Sequence, residues 1–262
     1  MRPWRAAAWV AGWWLLTTIG SSAALGAERT IPFGHGERLI YELSWYNLVG
    51  GTATLLVQED EHGGAPTFRL ISLAKSNAFV SLFFPVEDRV ESVMDQAGLY
   101  SLRLDVRQRE GKRRRERLTE FDQVNNRATV IKNGRREVFD IPPAVQDSLS
   151  CLYYFRTLPP IKVGQRVTID VHESNKNWRL AIDGLNRETV RTPLGEFETI
   201  RTQAKVEFEG IFLDRGDVFI WFTDDERRIP IHMESKIKIG KIKATLIDYN
   251  PGRPAAPLTA RQ

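Results

Sequence analysis

Leu39-Ile40-Tyr41-Glu42-Leu43-Ser44-Trp45-Tyr46 decides the fold class. Leu39, Tyr41, Leu43 and Trp45 share one parity, while Ile40, Glu42, Ser44 and Tyr46 share the other. Alternation with a period of two marks a strand with one buried face, because successive side chains of an extended chain point to opposite sides. Gly50-Gly51 follows and predicts a turn, and Thr52–Val57 returns as a second strand to make a hairpin. The same alternation recurs downstream. Phe68, Leu70 and Ser72 alternate with Arg69 and Ile71, and Leu102, Leu104 and Val106 with Arg103 and Arg107. Val167, Ile169 and Val171 follow Gly164, and Trp178, Leu180 and Ile182 follow the polar stretch Glu173–Asn177. Pro193-Leu194-Gly195 separates Glu188–Thr192 from a long run, Phe197–Phe208. In Val218–Phe222 both parities are apolar, which suits a central strand covered on each side. The apolar phase slips by one residue between Ile239 and Ile242, so a bulge or tight turn is expected at Gly240.

One helix interrupts the strands. Asp147 is a suitable N-cap for Ser148–Leu158, where Leu149, Leu152, Tyr153 and Phe155 or Arg156 recur at helical spacing. Pro159-Pro160 ends it, and Ile141-Pro142-Pro143 reads as an extended linker leading in. The count is about thirteen strands and one helix. The expected fold is all-β: a large antiparallel curved sheet or barrel, lipocalin-like or half-barrel lipoprotein-carrier-like, with one helix packed against it.

Three parts make up the 262 residues. Arg2 and Arg5 precede an apolar run from Ala6 to Ile19 and small residues from Gly20 to Ala27, the pattern of a secretory signal peptide over residues 1–26. Ser22 with Ala24, or Ala24 with Gly26, suits the cleavage site. A retained anchor is the competing reading, but the run falls short of the ~20 residues that span a bilayer. A single all-β domain is expected over residues 27–250, and a Pro-rich disordered tail over residues 251–262. The destination is the periplasm, with no transmembrane span after cleavage. Removing Arg2 and Arg5 from the 37 basic residues leaves a net charge near +2 against the 33 acids, which gives no argument for nucleic acid. A single Cys excludes an internal disulfide framework and a multi-Cys zinc site.

No catalytic or metal motif stands out. His35, His62, His172 and His232 lack metal-ligand spacing. Ser148 and Ser150 lack the glycines of a nucleophile elbow. Cys151 falls on the apolar side of the helix and reads as a small core hydrophobe. Asp224-Asp225-Glu226 lacks a calcium-loop pattern and reads as a hairpin turn. Neither a catalytic residue nor a cofactor is therefore assigned.

Two features suggest binding instead. Lys112, Arg113, Arg114 and Arg115, with Arg109, Arg107 and Arg117 nearby, form a basic run beside Gly111. Gly111 places it at a hairpin tip, either as a solvated hairpin or as a contact for an anionic surface such as lipid headgroups or glycolipid phosphates. Phe79-Val80-Ser81-Leu82-Phe83-Phe84-Pro85 breaks the alternation. It is either a buried crossover plugging one end of the barrel or an apolar lip at a ligand mouth. Trp45, Trp178 and Trp221 join Phe79, Phe83 and Phe84 as candidate ligand-binding residues, with core packing as the plainer alternative for each tryptophan.

Gly36-Glu37-Arg38-Leu39-Ile40-Tyr41 with Trp45 and Gly50-Gly51-Thr52-Ala53 resembles the opening of a bacterial envelope family known as domain of unknown function 3108. The resemblance continues in Gln146-Asp147-Ser148-Leu149-Ser150, Tyr153-Tyr154-Phe155-Arg156 and Thr192-Pro193-Leu194-Gly195-Glu196-Phe197. It closes in Ile220-Trp221-Phe222-Thr223-Asp224-Asp225 and Arg228-Ile229-Pro230. It implies an exported, β-rich protein of a Gram-negative bacterium and assigns no catalytic residue. The expected function is non-enzymatic binding of an amphipathic small molecule or envelope glycolipid within the sheet, with an envelope protein as a possible further partner. The alternatives are an envelope scaffold or polysaccharide-binding module with a filled core, and a hydrolase with an unrecognised site.

Overall fold

In the computed structural model, residues 31–46, 48–208, 211–236, 240–253 and 255 are described, with the side chains of 206–208 and 211–217 left aside. The expected signal peptide lies outside the described residues. The opening alternation forms β1 (Arg38–Trp45), with Leu39 and Tyr41 fully buried. Its partner β2 spans Leu48–His62, so the turn falls at Tyr46 and not at Gly50-Gly51. The glycine pair lies within β2, beside a register shift between Leu43 and Ser44. The reason is close approach: a Cβ on Gly51 would stand 2.1 Å from the Lys75 carbonyl oxygen of the next strand.

β3 (Ala65–Ser76), a short helix α1 (Ala78–Ser81) and β4 (Val86–Asp95) follow. Then come β5 (Ser101–Glu110), β6 (Arg113–Asp122), β7 (Arg127–Lys132) and β8 (Arg135–Asp140). Helix α2 (Ser150–Thr157) leads to β9 (Arg166–Glu173), β10 (Lys176–Thr192) and β11 (Gly195–Phe208). The last strands are β12 (Ile211–Thr223), β13 (Pro230–Lys236) and β14 (Lys241–Asn250). All fourteen join one antiparallel sheet in the order β8-β7-β6-β5-β4-β3-β2-β1-β14-β13-β12-β11-β10-β9. The sheet is curved and unclosed, with β8 and β9 as its edges. The expected phase slip becomes the β13–β14 turn, where Gly240 has a φ of +84°.

Antiparallel order fixes the two ends. The β1–β2, β3–β4, β5–β6, β7–β8, β9–β10 and β13–β14 connections share one end, which forms a rim. The β2–β3, β4–β5, β6–β7, β10–β11 and β12–β13 turns share the other, the base. Across the gap between β8 and β9 the contacts come from side chains. Asn177 Nδ2 donates to the Asp140 carbonyl at 2.8 Å, and Arg117 pairs with Glu173. His172 packs its ring 5.6 Å from that of Phe139. Gln146 forms a single parallel bridge with Val171.

Helix α2 is shorter than the expected Ser148–Leu158. Asp147 Oδ1 accepts from the amides of Leu149 and Ser150, both at 2.8 Å, so the capping side chain stands two residues ahead of the N-cap Leu149. The helix runs through the interior. Tyr153 and Leu152 join the cluster of Phe33, Leu39, Tyr41, Phe68, Leu70 and Ile231, while Phe155 and Cys151 join that of Ile169, Ile182, Ile200 and Phe222. A third cluster, Leu104, Phe121, Ala128, Ile141 and Val145, lines β5–β8. The chain beyond Asn250, expected as a disordered tail, stays on the domain as far as it is described. The Arg253 amide donates to the His35 carbonyl at 2.8 Å, and Ala255 touches the first cluster.

Candidate functional site

Two buried polar networks combine charged and hydroxyl groups of the kinds found in catalytic sites. Arg156 is fully buried and faces Glu37, its Nη1 and Nη2 donating at 2.8 and 2.7 Å to the two carboxylate oxygens. Its guanidinium lies over the rings of Phe33 and Tyr153 and also reaches the carbonyls of Arg227 and Pro32. Burial opposes the Arg156 charge, but the Glu37 carboxylate outweighs it and holds the guanidinium protonated. Nearby, Asp147 Oδ2 accepts from Ser92 at 2.5 Å and Ser101 at 2.8 Å. Burial raises the Asp147 pKa, and these hydrogen bonds offset part of the rise. Ser92, Ser101, Asp147 and Ser150 are all buried. The two networks fasten α2 and the N-terminal segment to the sheet.

The open space lies on the other side of α2. A cavity of about 420 Å³ is lined by Val171, Trp178, Leu180, Val218 and Cys151, with Ser148, Glu173 and Ser174 along one side. Parity explains the wall: Val171 faces Trp178 and Ile169 faces Leu180 across the β9–β10 ladder, all on the concave face. The Trp178 indole donates to the Glu173 carbonyl at 2.9 Å, which orients its ring. Desolvation, reinforced by the negative field of Asp147, pushes the Cys151 thiol up to about 12, so it stays protonated and unreactive. The size lies within the ~300–1,000 Å³ usual for small-molecule pockets, and the mostly apolar wall with a few polar groups is their usual make-up.

Of the residues singled out from the sequence, Trp178 lies in this cavity. Trp221 does not. It stands opposite in parity to Ile220 and Phe222 and points to the convex face, where its indole donates to Glu188 Oε1 at 2.5 Å. There it packs against His232 and Arg201. Trp45 sits at the rim end of β1, its ring 4.9 Å from that of Tyr46. Phe79, Phe83 and Phe84 are exposed at the β3–β4 tip, so the segment is not a buried plug, and none of the three lines the cavity. Lys112, Arg113, Arg114 and Arg115 are exposed at the β5–β6 tip, and Arg109 ends the neighbouring strand, 3.7 Å from Glu87. Sequence reading overlooked Cys151, Val171, Leu180 and Val218 as cavity wall, since each looks like ordinary core until α2 is placed. Glu173 and Arg117 gave no signal, being 56 residues apart.

Asp225 sits in the β12–β13 turn, where it accepts from Thr223 Oγ1 and the amides of Arg227 and Arg228. Among the described residues, His, Cys, Asp and Glu side chains form no group of three or more suited to a metal. No helix among those residues is long and apolar enough to cross a membrane.

A family profile described as protein of unknown function DUF3108 matches residues 40–247. The chain belongs to the DUF3108 family. No curated protein matches it. Among solved structures, it is similar to a β-barrel-like DUF1849 protein from Brucella abortus, with a TM-score of 0.54 at 7% identity over 83% of this chain and 98% of that one. Weaker likenesses are a protein predicted to be exported, with a YmcC-like fold, from Bacteroides fragilis, and a predicted lipoprotein from Parabacteroides distasonis. The first has a TM-score of 0.33 at 12% identity over 85% and 99% of the two chains, the second 0.38 at 9% over 84% and 99%. At such identity the Brucella protein bears on the fold alone, and this chain shares its β-barrel-like architecture.

Proposed function

We propose that this DUF3108 protein is a non-enzymatic periplasmic binding protein that holds part of an amphipathic envelope molecule, lipid or glycolipid, in the cavity beneath α2. The observation that carries the reading is the apolar cavity of about 420 Å³ on the concave face, which the folded chain leaves unfilled while packing the base densely. Burying acyl methylenes against Val171, Trp178, Leu180 and Val218 contributes about 0.8 kcal/mol per CH₂. Ser148, Ser174 and Glu173 supply polar contacts at the edge of the cavity. Residues 1–26 support export, since they carry the charge, length and small-residue pattern of a secretory leader.

The test is native mass spectrometry of the chain from Ala27 on, purified from a lipid-containing host, with uptake of a fluorescent fatty acid as a second readout. A co-purifying lipid that Val218→Trp removes from a still-folded protein supports the reading. A clean chain that takes up no fatty acid overturns it and directs attention to polysaccharide and protein partners.

A further inference from the structure

The β3–β4 tip is built inside-out. Its polar groups are spent inward: Asn77 Oδ1 caps the Val80 amide at 2.9 Å, and Asn77 Nδ2 donates to the Val49 carbonyl at 2.6 Å. Ser76 Oγ lies 2.7 Å from Ser81 Oγ and accepts from the Val86 amide at 2.9 Å. The backbone is therefore held, yet Phe79, Leu82 and Phe83 are 68%, 78% and 78% exposed. Apolar side chains presented on a braced turn differ from the scattered exposed leucines of any surface, and a contiguous patch of them marks an interaction site.

The patch extends along the rim. Its neighbour on one side is the β1–β2 tip, with Tyr46, Leu48 and Val49 exposed. On the other side Phe84 covers Gly111, whose Cβ position would lie 2.8 Å from the ring, and the Gly111 amide donates to the Pro85 carbonyl at 2.8 Å. That contact joins the apolar tip directly to the basic one. Between Arg107 and Arg117 there are seven basic and two acidic residues. Arg107, Arg109 and Arg117 are engaged by Asp105, Glu87 and Glu173, but Lys112, Arg113, Arg114 and Arg115 make no ion pair with any described residue.

From this juxtaposition we infer that the rim is a docking surface for an anionic lipid bilayer, with Leu82 and Phe83 entering the headgroup–acyl boundary and Lys112–Arg115 lying on the lipid phosphates. Apolar insertion beside unpaired cations is the combination that holds peripheral proteins on anionic leaflets, because each contribution alone gives weak, reversible binding. A protein partner would have to supply both an apolar groove and a matching acidic patch, whereas a phosphatidylglycerol surface offers both at once. The inference does not depend on what fills the cavity.

The experiment is co-sedimentation of the chain from Ala27 on with vesicles of phosphatidylcholine alone or mixed equally with phosphatidylglycerol. This chain holds the whole described domain and lacks the apolar leader, which would otherwise supply binding of its own. Binding is expected to the mixed vesicles, to be at least tenfold weaker to phosphatidylcholine alone, and to fall with salt. Leu82→Asp with Phe83→Asp, in a chain whose circular dichroism and melting are unchanged, should lose at least tenfold. Lys112→Glu with Arg113→Glu should remove most of the preference for phosphatidylglycerol. Val218→Trp, which fills the cavity, should bind vesicles as the parent does, separating failure here from failure of the cavity reading. Absence of vesicle binding by the parent chain, or undiminished binding by the Leu82→Asp, Phe83→Asp chain, overturns the inference. So does a parent chain that dimerises through these residues without binding vesicles.

Discussion

At the base of the half-barrel Arg156 and Glu37 are withdrawn almost entirely from water, while at the rim Leu82 and Phe83 stand out into it. The costs are opposite in kind. A buried ion pair loses hydration and recovers it only through close contacts, here two hydrogen bonds, two aromatic faces and backbone carbonyls. An exposed phenylalanine forgoes the roughly 1.5–3 kcal/mol that burial would contribute. The base sacrifices solvation to close one end around α2, and the rim sacrifices burial at the other. The polar networks and α2 occupy one end of the sheet, and the apolar and basic tips stand exposed at the other.

The largest losses of stability are expected at the base. Arg156→Ala leaves Glu37 buried without its partner and should cost about 3–5 kcal/mol, read as a lower urea midpoint. Arg156→Met combined with Glu37→Leu removes both charges and should regain most of that loss. If the double variant is no more stable than Arg156→Ala, the pair's packing matters more than its charge. Asp147→Ala follows, since it frees the Ser92 and Ser101 hydroxyls and two amides at the start of α2. Alanine leaves these donors unsatisfied but also removes a carboxylate whose burial opposes folding, so the net cost should be about 1–3 kcal/mol. The expected drop in urea midpoint lies below that of Arg156→Ala.

How far this division can be read in the sequence depends on which interaction sets each part. Strand alternation is local, so the all-β curved sheet follows from Leu39–Trp45 and its repeats. The broken alternation at Phe79–Pro85 is also local, and it marks the exposed tip, although exposure and burial there were equally compatible with the residues. The base was not legible. Glu37 and Arg156 are separated by 119 positions, and no local pattern pairs them. Trp178 and Trp221 make the limit clear. Trp178 shares parity with Leu180 and Ile182, whereas β12 is apolar on both faces, so parity leaves the direction of Trp221 open. Gly50-Gly51 misled for a similar reason: a glycine pair permits a turn or a close strand contact, and only the position of Lys75 on β3 decides.

A milder test acts on the seam between β8 and β9. Asn177 Nδ2 donates to the Asp140 carbonyl, so its Oδ1 accepts from His172 Nδ1 at 2.7 Å, and the neutral ring leaves Nε2 buried without a partner among the described residues. Burial holds the His172 pKa below the ordinary value, with the Asn177 hydrogen bond a partial offset. Below about pH 6.5 the unfolded chain then binds protons that the folded ring resists, so stability should fall as pH drops through that value toward the lower folded one. His232 is lowered by burial too and adds to the same trend. Asp147, whose pKa is raised, works in the opposite sense, gaining stability on acidification. Both remain in His172→Gln, so the difference in melting temperature between parent and variant across pH 7.5 to 5 reports His172 alone. The variant should show the shallower fall.

The smallest stability effect should come from the most conspicuous residues. Leu82→Asp with Phe83→Asp replaces two large apolar side chains, a change that in the core would cost several kcal/mol. Here the removed carbons contact water, no ion pair or side-chain hydrogen bond involves either residue, and α1 is held by Asn77, Ser76 and Ser81 instead. The melting temperature should therefore stay where surface substitutions usually leave it, within about 0.5 kcal/mol of the parent. Aggregation on heating should fall, because less apolar surface is available for association. A large loss of stability would place these side chains in contacts that help hold the fold, and the rim would then resemble the base. An unchanged fold would confirm the asymmetry: residues that contribute nothing to holding the sheet together are free to serve whatever the open end meets.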